Sequence, residues 1–153
     1  GLDFNTTYTV TLKKGLPDIC KRTDQPAAAL VTDLKQRGLL DTTLVQWGGE
    51  IGRLPVCEGT IDDNCGRDHN GQGFSIWMAG GGIRGGMTYG ETDEVGHRAA
   101  VNVVTPNDYQ ATVFRLLGLD HAKLAYQFNG REQHITDGRP ARIVHEITKL
   151  AQA

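Results

Sequence analysis

The amino-acid sequence predicts an α/β fold in which helices flank one sheet. Two short runs rich in β-branched and aromatic residues, 42–47 and 74–79, have the composition of buried strands. Two amphipathic stretches with helix start and stop signals, near 24–37 and 105–118, alternate with these runs. Polar segments follow the predicted strands, and open α/β sheets present their ligands at the carboxyl ends of strands.

The chain has the size of one compact domain, with 153 residues, of which 39% are hydrophobic and 22% charged. This composition excludes a disordered chain. The net charge of −2 supplies no basic excess, so neither nucleic acid nor an anionic membrane is an expected partner. No apolar run reaches the ~18 residues that cross a bilayer, and no signal pattern opens the sequence. We therefore expect a soluble, cytoplasmic chain.

The N-terminal part predicts a strand followed by a helix. Residues 6–12 are rich in β-branched residues and predict an edge strand. Thr23 or Asp24 is expected to cap a helix that has Pro26 in its first turn and ends near Arg37. Gly38 supplies the stop signal.

The rest of the chain alternates predicted strands and helices. After the strand at 42–47, residues 48–73 show no sustained periodicity and predict a long functional loop before the strand at 74–79. A short strand at 99–104 precedes a helix over 109–117, which residues 105–108 open and Gly118 closes. A final helix is expected from about 142 to 151. The glycine-rich run 80–86 fits no nucleotide-binding fingerprint, so it predicts tight turns and close backbone approach.

Three cysteines, Cys20, Cys57 and Cys65, cannot form a complete disulfide framework without a partner chain. Reduced thiols or metal ligands are the favoured interpretation, which also favours a reducing compartment.

The segment between the first two predicted strands holds the candidate chemistry. Glu50 follows a strand and two glycines, the position of a ligand at a sheet edge, and its alternative is a solvated partner of Arg53. His69 lies in a polar loop bounded by glycines, where metal binding or acid–base work is favoured over core packing.

Cys57, Cys65, Asp68 and His69 fall within 13 positions, and zinc accepts all of these ligand types. Their spacing is not the tight Cys-x2-Cys knuckle, so ordinary reduced cysteines with a hydrogen-bonded histidine remain the alternative. Arg53 and Arg67 could bind an oxyanion, or could pair with nearby carboxylates at 58, 62 and 63. The other histidines, at 97, 121, 134 and 145, are interpreted as surface or hydrogen-bonded groups.

Six motifs in order carry a family resemblance: DLKQRGLLDTTLV (33–45), WGGEIGR (47–53), GRDHN (66–70), WMAGGG (77–82), GETDE (90–94) and LGLDH (117–121). From about residue 24 to the end, the chain resembles the C-terminal portion of a sulfatase-like family of the alkaline phosphatase superfamily. Residues 1–22 do not match, and residues 23–153 are expected to form a single α/β domain. The resemblance implies a truncated sulfatase-like sheet flanked by helices, with an added N-terminal strand.

That superfamily uses two metal ions, often zinc, and a Thr, Ser or formylglycine nucleophile on phosphate or sulfate esters. Glu50 matches the Asp of its Asp-His-Gly metal motif, Ile51 replaces the histidine, and His69 matches a later metal ligand. Relatives are expected to carry histidines near Asn107 and Gln110. The nucleophile and the remaining ligands belong to a preceding part that this sequence does not contain, so the covalent two-metal mechanism does not transfer.

Together, these observations predict a small metal-dependent hydrolase of phosphodiesters or activated phosphate monoesters, with sulfate or phosphonate esters as side substrates. One or two zinc ions, with Mn or Mg as second choices, would activate water. The expected metal ligands are Glu50, Cys57, Cys65, Asp68 and His69, and the expected catalytic residues are Arg53, Arg67 and Asp68. The alternatives are a non-catalytic truncated fragment that binds an anion or a partner, and a structural zinc domain.

A truncated sheet exposes strand edges and apolar faces that self-association would cover. We therefore expect a homodimer, with the N-terminal strand covering an edge. Full-length relatives of the resembled family are often exported, which is the alternative to the cytoplasmic location.

Overall fold

The computed structural model describes residues 16–62 and 65–150, in a chain that divides into two units, residues 1–39 and 40–153. The first unit contains one helix, and the second contains the strands and the other helices. The elements are α1 (Leu16–Gln36), β1 (Leu44–Trp47), β2 (Gly52–Glu58), β3 (Gly66–Asn70), β4 (Trp77–Gly80), β5 (Glu91–Thr92), β6 (Ala99–Val101), α2 (Pro106–Leu116), β7 (Ala125–Phe128), β8 (Arg131–His134) and a 3₁₀ helix (His145–Ile147).

Helix α1 is longer than the sequence signals predict, since it already includes Leu16. Thr23 does not cap it, because its hydroxyl donates to the carbonyls of Ile19 and Cys20 inside the helix. The predicted stop is confirmed. Gly38 adopts φ +69°, and the next N–H donates back to Leu34 at 2.8 Å, a Schellman-type ending. The predicted strand at 6–12 lies outside the described residues.

The mixed α/β class is confirmed, but the strands of the described ranges pair differently from the prediction. They form four two-stranded antiparallel sheets, β1–β4, β2–β3, β5–β6 and β7–β8. The strands predicted at 42–47 and 74–79 both exist, as β1 and β4. They pair with each other because a hairpin, and not a crossover helix, connects them, and parallel pairing requires a crossover.

The long loop predicted over 48–73 is wrong, because residues 52–70 form the β2–β3 hairpin. Its pairing register shifts between Arg53 and Cys57. Pro55 lies in this interval and has no N–H, so it cannot donate a hydrogen bond to the ladder there.

Helix α2 confirms the predicted start and stop. The hydroxyl of the N-cap, Thr105, accepts the N–H of Asp108 at 3.1 Å, and the Asp108 carboxylate accepts the Thr105 N–H at 2.9 Å. Gly118 has φ +79° and closes the helix.

A polar seam, formed by Asp108 and Thr112 with the backbone of Arg142 and Val144, joins α2 to the C-terminal segment. Asp108 Oδ1 accepts the N–H of Arg142 at 2.8 Å. Thr112 Oγ1 donates to the carbonyl of Asp108 at 2.7 Å and accepts the N–H of Val144 at 2.9 Å. Asp108, Thr112 and Val144 are all buried, which strengthens these bonds by excluding competing water.

The helix predicted over 142–151 is wrong for its described residues, 142–150, of which His145–Ile147 form a short 3₁₀ turn. The backbone groups of this segment pair with other parts of the chain instead of with each other. Besides the seam, Arg84 N–H donates to the Ile147 carbonyl at 2.9 Å, and Lys149 N–H donates to Gly82 at 2.7 Å. A helix would have to give up these tertiary bonds.

The interpretation of the glycine-rich run as a site of close approach is confirmed at Gly80. Its φ is +74°, and a Cβ there would collide with the carbonyl oxygens of Leu40 and Thr43. The buried hydrophobic residues of the described part are few and lie near this run and the seam: Ile83, Ala111 and Val144. In the described ranges, no helix has the combination of length and apolar character that crossing a bilayer requires.

The seam predicts an acid-sensitive contribution to stability. Partial burial by itself raises the pKa of Asp108, but hydrogen bonds from Arg142 and Thr105 outweigh it, so the pKa lies below its ordinary value. Asp108→Asn replaces one of the two accepting oxygens with an NH2 group, which then faces the backbone N–H of Thr105 or Arg142. The substitution should lower the free energy of unfolding at pH 7 by about 2 kcal/mol.

Because a lowered pKa stabilises the fold only while the carboxyl is ionised, the difference between wild type and variant should shrink as the pH falls below about 4. Urea unfolding followed by tryptophan fluorescence across pH 2–7 measures it. The exposed Asp41, replaced by Asn, is the control. A pH-independent difference would contradict this assignment.

Candidate functional site

The β2–β3 hairpin brings a basic pair to one face. In its antiparallel register Arg53 lies directly opposite His69, and Gly52 opposite Asn70. Directly opposed residues have Cβ atoms about 4.5–5.5 Å apart and share a face of the sheet. Two candidate residues that lie 16 positions apart in the predicted loop therefore become neighbours.

Each member of this pair has a carboxylate beside it. Arg53 Nη2 lies 3.3 Å from Glu50 Oε1, which makes Glu50 the ion-pair partner of Arg53. Asp68 Oδ1 accepts the His69 N–H at 2.6 Å and lies 3.5 Å from His69 Nδ1. We call Glu50, Arg53, Asp68 and His69 the hairpin site.

The hairpin site is open to solvent. The exposed fractions of its side chains are 73% for Glu50, 42% for Arg53 and 61% for His69. Water and salt screen charges at such exposure, so the ion pair itself contributes little to stability. The same exposure leaves the guanidinium and the imidazole accessible to a charged ligand.

Two residues that the sequence reasoning missed fix the base of this hairpin. Gly52 is buried, and a Cβ there would collide with the Gly73 carbonyl oxygen and lie 2.9 Å from the Asn70 carbonyl oxygen. The Asn70 side chain is 1% exposed, accepts the Gln72 N–H at 2.9 Å and donates to the His97 carbonyl at 2.8 Å. The Asn-Gly pair at 70–71 is a turn signal that could have indicated this role.

The turn that Asn70 contacts is itself ordered by a carboxylate. Asp93 accepts the His97 N–H at 2.7 Å and lies 3.8 Å from the Arg98 guanidinium. The His97 N–H, more than any other contact, lowers the pKa of Asp93 from its ordinary value. The hairpin site is thus attached to a turn whose Asp93 carboxylate stays ionised and hydrogen-bonded at neutral pH.

The far end of the hairpin corrects the prediction of reduced thiols. Cys57 and Cys65 form a disulfide, with Cα atoms 5.8 Å apart, and Cys20 is free and exposed. Disulfide sulfurs carry no thiolate charge, and zinc binds the thiolate. The two cysteines are therefore not available as metal ligands in this form.

Arg67 lies at the same end, opposite Cys57 in the register. It forms no ion pair with a described residue. Of the two candidate arginines, only Arg53 joins the hairpin site.

Among the described residues, the donors that remain do not complete a zinc site. Catalytic zinc is held by three protein ligands. Across residues 16–62 and 65–150, no three His, Cys, Asp or Glu side chains come together in an arrangement that could hold a metal ion. The predicted ligands outside the disulfide are Glu50, Asp68 and His69, and they do not form such a group, since Glu50 faces Arg53.

A comparison with protein families gives one match. Residues 10–148 match the model of a family described as "Protein of unknown function (DUF1501)". The match begins before residue 24, where the motif resemblance starts. No curated protein and no solved structure matched the chain.

The disulfide predicts a redox-dependent hairpin. Removing a cross-link that closes a loop of this size should cost roughly 2–3 kcal/mol, so Cys57→Ser should lower the free energy of unfolding by about this amount. Cys20→Ser, which removes the free thiol, should have little effect. Thiol counting on the denatured, non-reduced wild type should give one thiol per chain, and three would contradict the disulfide.

Proposed function

The chain belongs to the DUF1501 family of proteins of unknown function, and we propose that it acts on phosphate esters, whose oxygens the hairpin site binds. The observation that carries the proposal is the cross-strand pair of Arg53 and His69, each with its own carboxylate neighbour. The family resemblance of the sequence motifs points to the same substrate class.

Arg53 supplies the anion-binding part of the proposal. A guanidinium binds two phosphoryl oxygens through parallel, charge-assisted hydrogen bonds. Glu50, 3.3 Å away, holds the guanidinium near the hairpin face. Because this contact is solvent-exposed and weak, a phosphate ester can compete for the same N–H groups.

His69 supplies the acid–base part. Since its Nδ1 faces the Asp68 carboxylate, Nε2 is the nitrogen left to face a substrate. In the proposed reaction Nε2 accepts a proton from a water molecule whose oxygen bonds to phosphorus. The bond from phosphorus to the leaving oxygen then breaks, and the imidazolium returns the proton to that oxygen.

A metal-dependent form of this activity needs ligands beyond the described residues. Zinc would polarise the phosphoryl oxygen and lower the pKa of its water. Glu50, Asp68 and His69 would be its candidate ligands here, and a complete set would need a donor from elsewhere. No step of the reaction above depends on it. Metal analysis of the purified chain, before and after chelation, separates the two forms.

A second candidate function is anion binding without turnover. Its support is the exposure of the hairpin site, since 61% of the His69 side chain is open to water. Electrostatic catalysis gains most in sites that exclude water. Binding of an ester without its hydrolysis would identify this function.

We extend the proposal to a homodimer. Four large side chains of β1, β4 and the segment before β4 are exposed: Trp47, Phe74, Ile76 and Trp77. The two tryptophans stack across the β1–β4 pair, with ring centroids 6.4 Å apart. An exposed aromatic cluster of this kind is typical of the buried centre of an interface.

The reaction predicts separate effects for the two basic residues. With bis(4-nitrophenyl) phosphate as substrate, His69→Ala should lower kcat about 100-fold. Arg53→Gln should lower kcat/KM about tenfold, less than for a buried oxyanion donor, because water screens the exposed guanidinium.

His134→Ala is the matched control. His134 is also a strand histidine with a carboxylate neighbour, 3.2 Å from Glu132, but it lies on β8. It should keep wild-type turnover. Equal kcat/KM in His69→Ala and the wild type would refute the proposed reaction.

If the chain forms this homodimer, one substitution in the aromatic cluster should halve the mass of the particle in solution. Sedimentation equilibrium at low micromolar concentration should give twice the chain mass for the wild type and a monomer for Trp47→Glu, because a charge cannot be buried unpaired at an interface. Tyr126→Glu, at an aromatic residue of β7 that is also exposed, should remain dimeric. A monomeric wild type would exclude the dimer.

A further inference from the structure

A groove of about 240 Å³ lies at the C-terminal end of α2, separate in its residues from the hairpin site. Arg115, Leu119, Asp120, His121, Ile143 and His145 line it. The sequence motif at 117–121 contributes three of these residues, and none has a role in the proposed function.

The fold builds this groove from elements that are already fixed. Arg115 belongs to the last turn of α2, and Leu119 follows the Gly118 stop, with its N–H bonded to the Phe114 carbonyl at 2.9 Å. Ile143 and His145 flank Val144, whose N–H is held by the polar seam. The two walls are therefore positioned by hydrogen bonds and not by a ligand.

The groove is lined by two formally charged residues, Arg115 and Asp120, and only Asp120 has an ion-pair partner among the described residues. The Asp120 carboxylate accepts the Ala122 N–H at 3.1 Å and pairs with Lys123 at 3.2 Å. The Lys123 contact is the main cause of its pKa lying below the ordinary value. Asp120 therefore stays ionised, and the Lys123 ammonium balances its charge. Arg115 has no ion-pair partner among the described residues.

His145 supplies a second independent observation. Its Nδ1 is buried and has no hydrogen-bond partner among the described residues. Buried polar atoms are nearly always hydrogen-bonded, so an isolated one marks a place where a partner belongs. His145 lines the same groove as Arg115, so its imidazole is a second polar group beside the guanidinium there.

We propose that this groove binds a small organic anion, with its oxyanion head between Arg115 and His145 and its apolar part on Leu119 and Ile143. The planar guanidinium matches a carboxylate or a phosphoryl group, and the two aliphatic side chains give the apolar contact that a bare inorganic ion could not use. Within the described residues, the histidines and Asp120 form no metal-holding group, so the proposal is for an organic anion.

The test follows binding by amide NMR shifts at fixed ionic strength, with phenylphosphonate and benzoate as probes. Phenylphosphonate carries a phosphoryl head without a hydrolysable ester bond, so the result does not depend on the proposed reaction. We expect saturable shifts at 115–121 and 143–145 with at least one probe, and the preferred probe identifies the head group. Inorganic phosphate should bind more weakly than phenylphosphonate.

Arg115→Gln and His145→Gln should each weaken binding at least tenfold. Arg139→Gln removes the same charge from an exposed residue that does not line the groove, and should bind like the wild type. Arg53→Gln should also bind like the wild type, which separates this groove from the hairpin site.

If Arg115→Gln does not fold, His145→Gln decides the question. The proposal is overturned if neither probe gives saturable shifts at the groove, if both groove variants bind within twofold of the wild type, or if Arg139→Gln loses as much affinity as Arg115→Gln.

Discussion

The hydrogen bonds from the C-terminal segment to Asp108 and Thr112 hold the second unit together. The buried hydrophobic side chains around them are small in number and size, so the described part draws much of its order from buried polar contacts. Once the seam fixes the segment, its following residues reach the glycine-rich run through the Ile147 carbonyl and the Lys149 N–H. Gly80 of that run then approaches the backbone at Leu40 and Thr43. A single chain of backbone contacts thus connects α2 with the start of β1.

The two candidate sites depend on this frame to different degrees. The groove is a direct product of the seam, because one of its walls is the segment that the seam holds. The hairpin site is connected through Asn70 to the turn at 93–98, and its own side chains are exposed. A ligand in the groove would therefore contact a segment that the seam holds in place, whereas the side chains of the hairpin site are held by exposed contacts.

Local signals in the sequence predicted the parts of the fold that local chemistry decides. Thr105, Asp108 and Gly118 marked α2 because caps satisfy backbone groups within one turn. The strand pairing and the C-terminal segment failed because they depend on partners far along the chain. Nothing near Val144 indicates that Thr112 will accept its N–H. The sequence predicted which residues belong to the candidate site. It did not predict the Cys57–Cys65 bond or the opposition of Arg53 and His69, because both depend on the pairing of β2 with β3.

The shift of register around Pro55 divides the β2–β3 ladder into an inner half, with the pair Arg53–His69, and an outer half, with the pair Cys57–Arg67. The inner half sets the register of Arg53 and His69, and the outer half carries the disulfide and the connecting loop. The Cys57–Cys65 bond closes the outer half, so a change in the length of its connecting loop would act there first. A change in the length of the loop would therefore leave the pairing of Arg53 with His69 in the inner half unchanged.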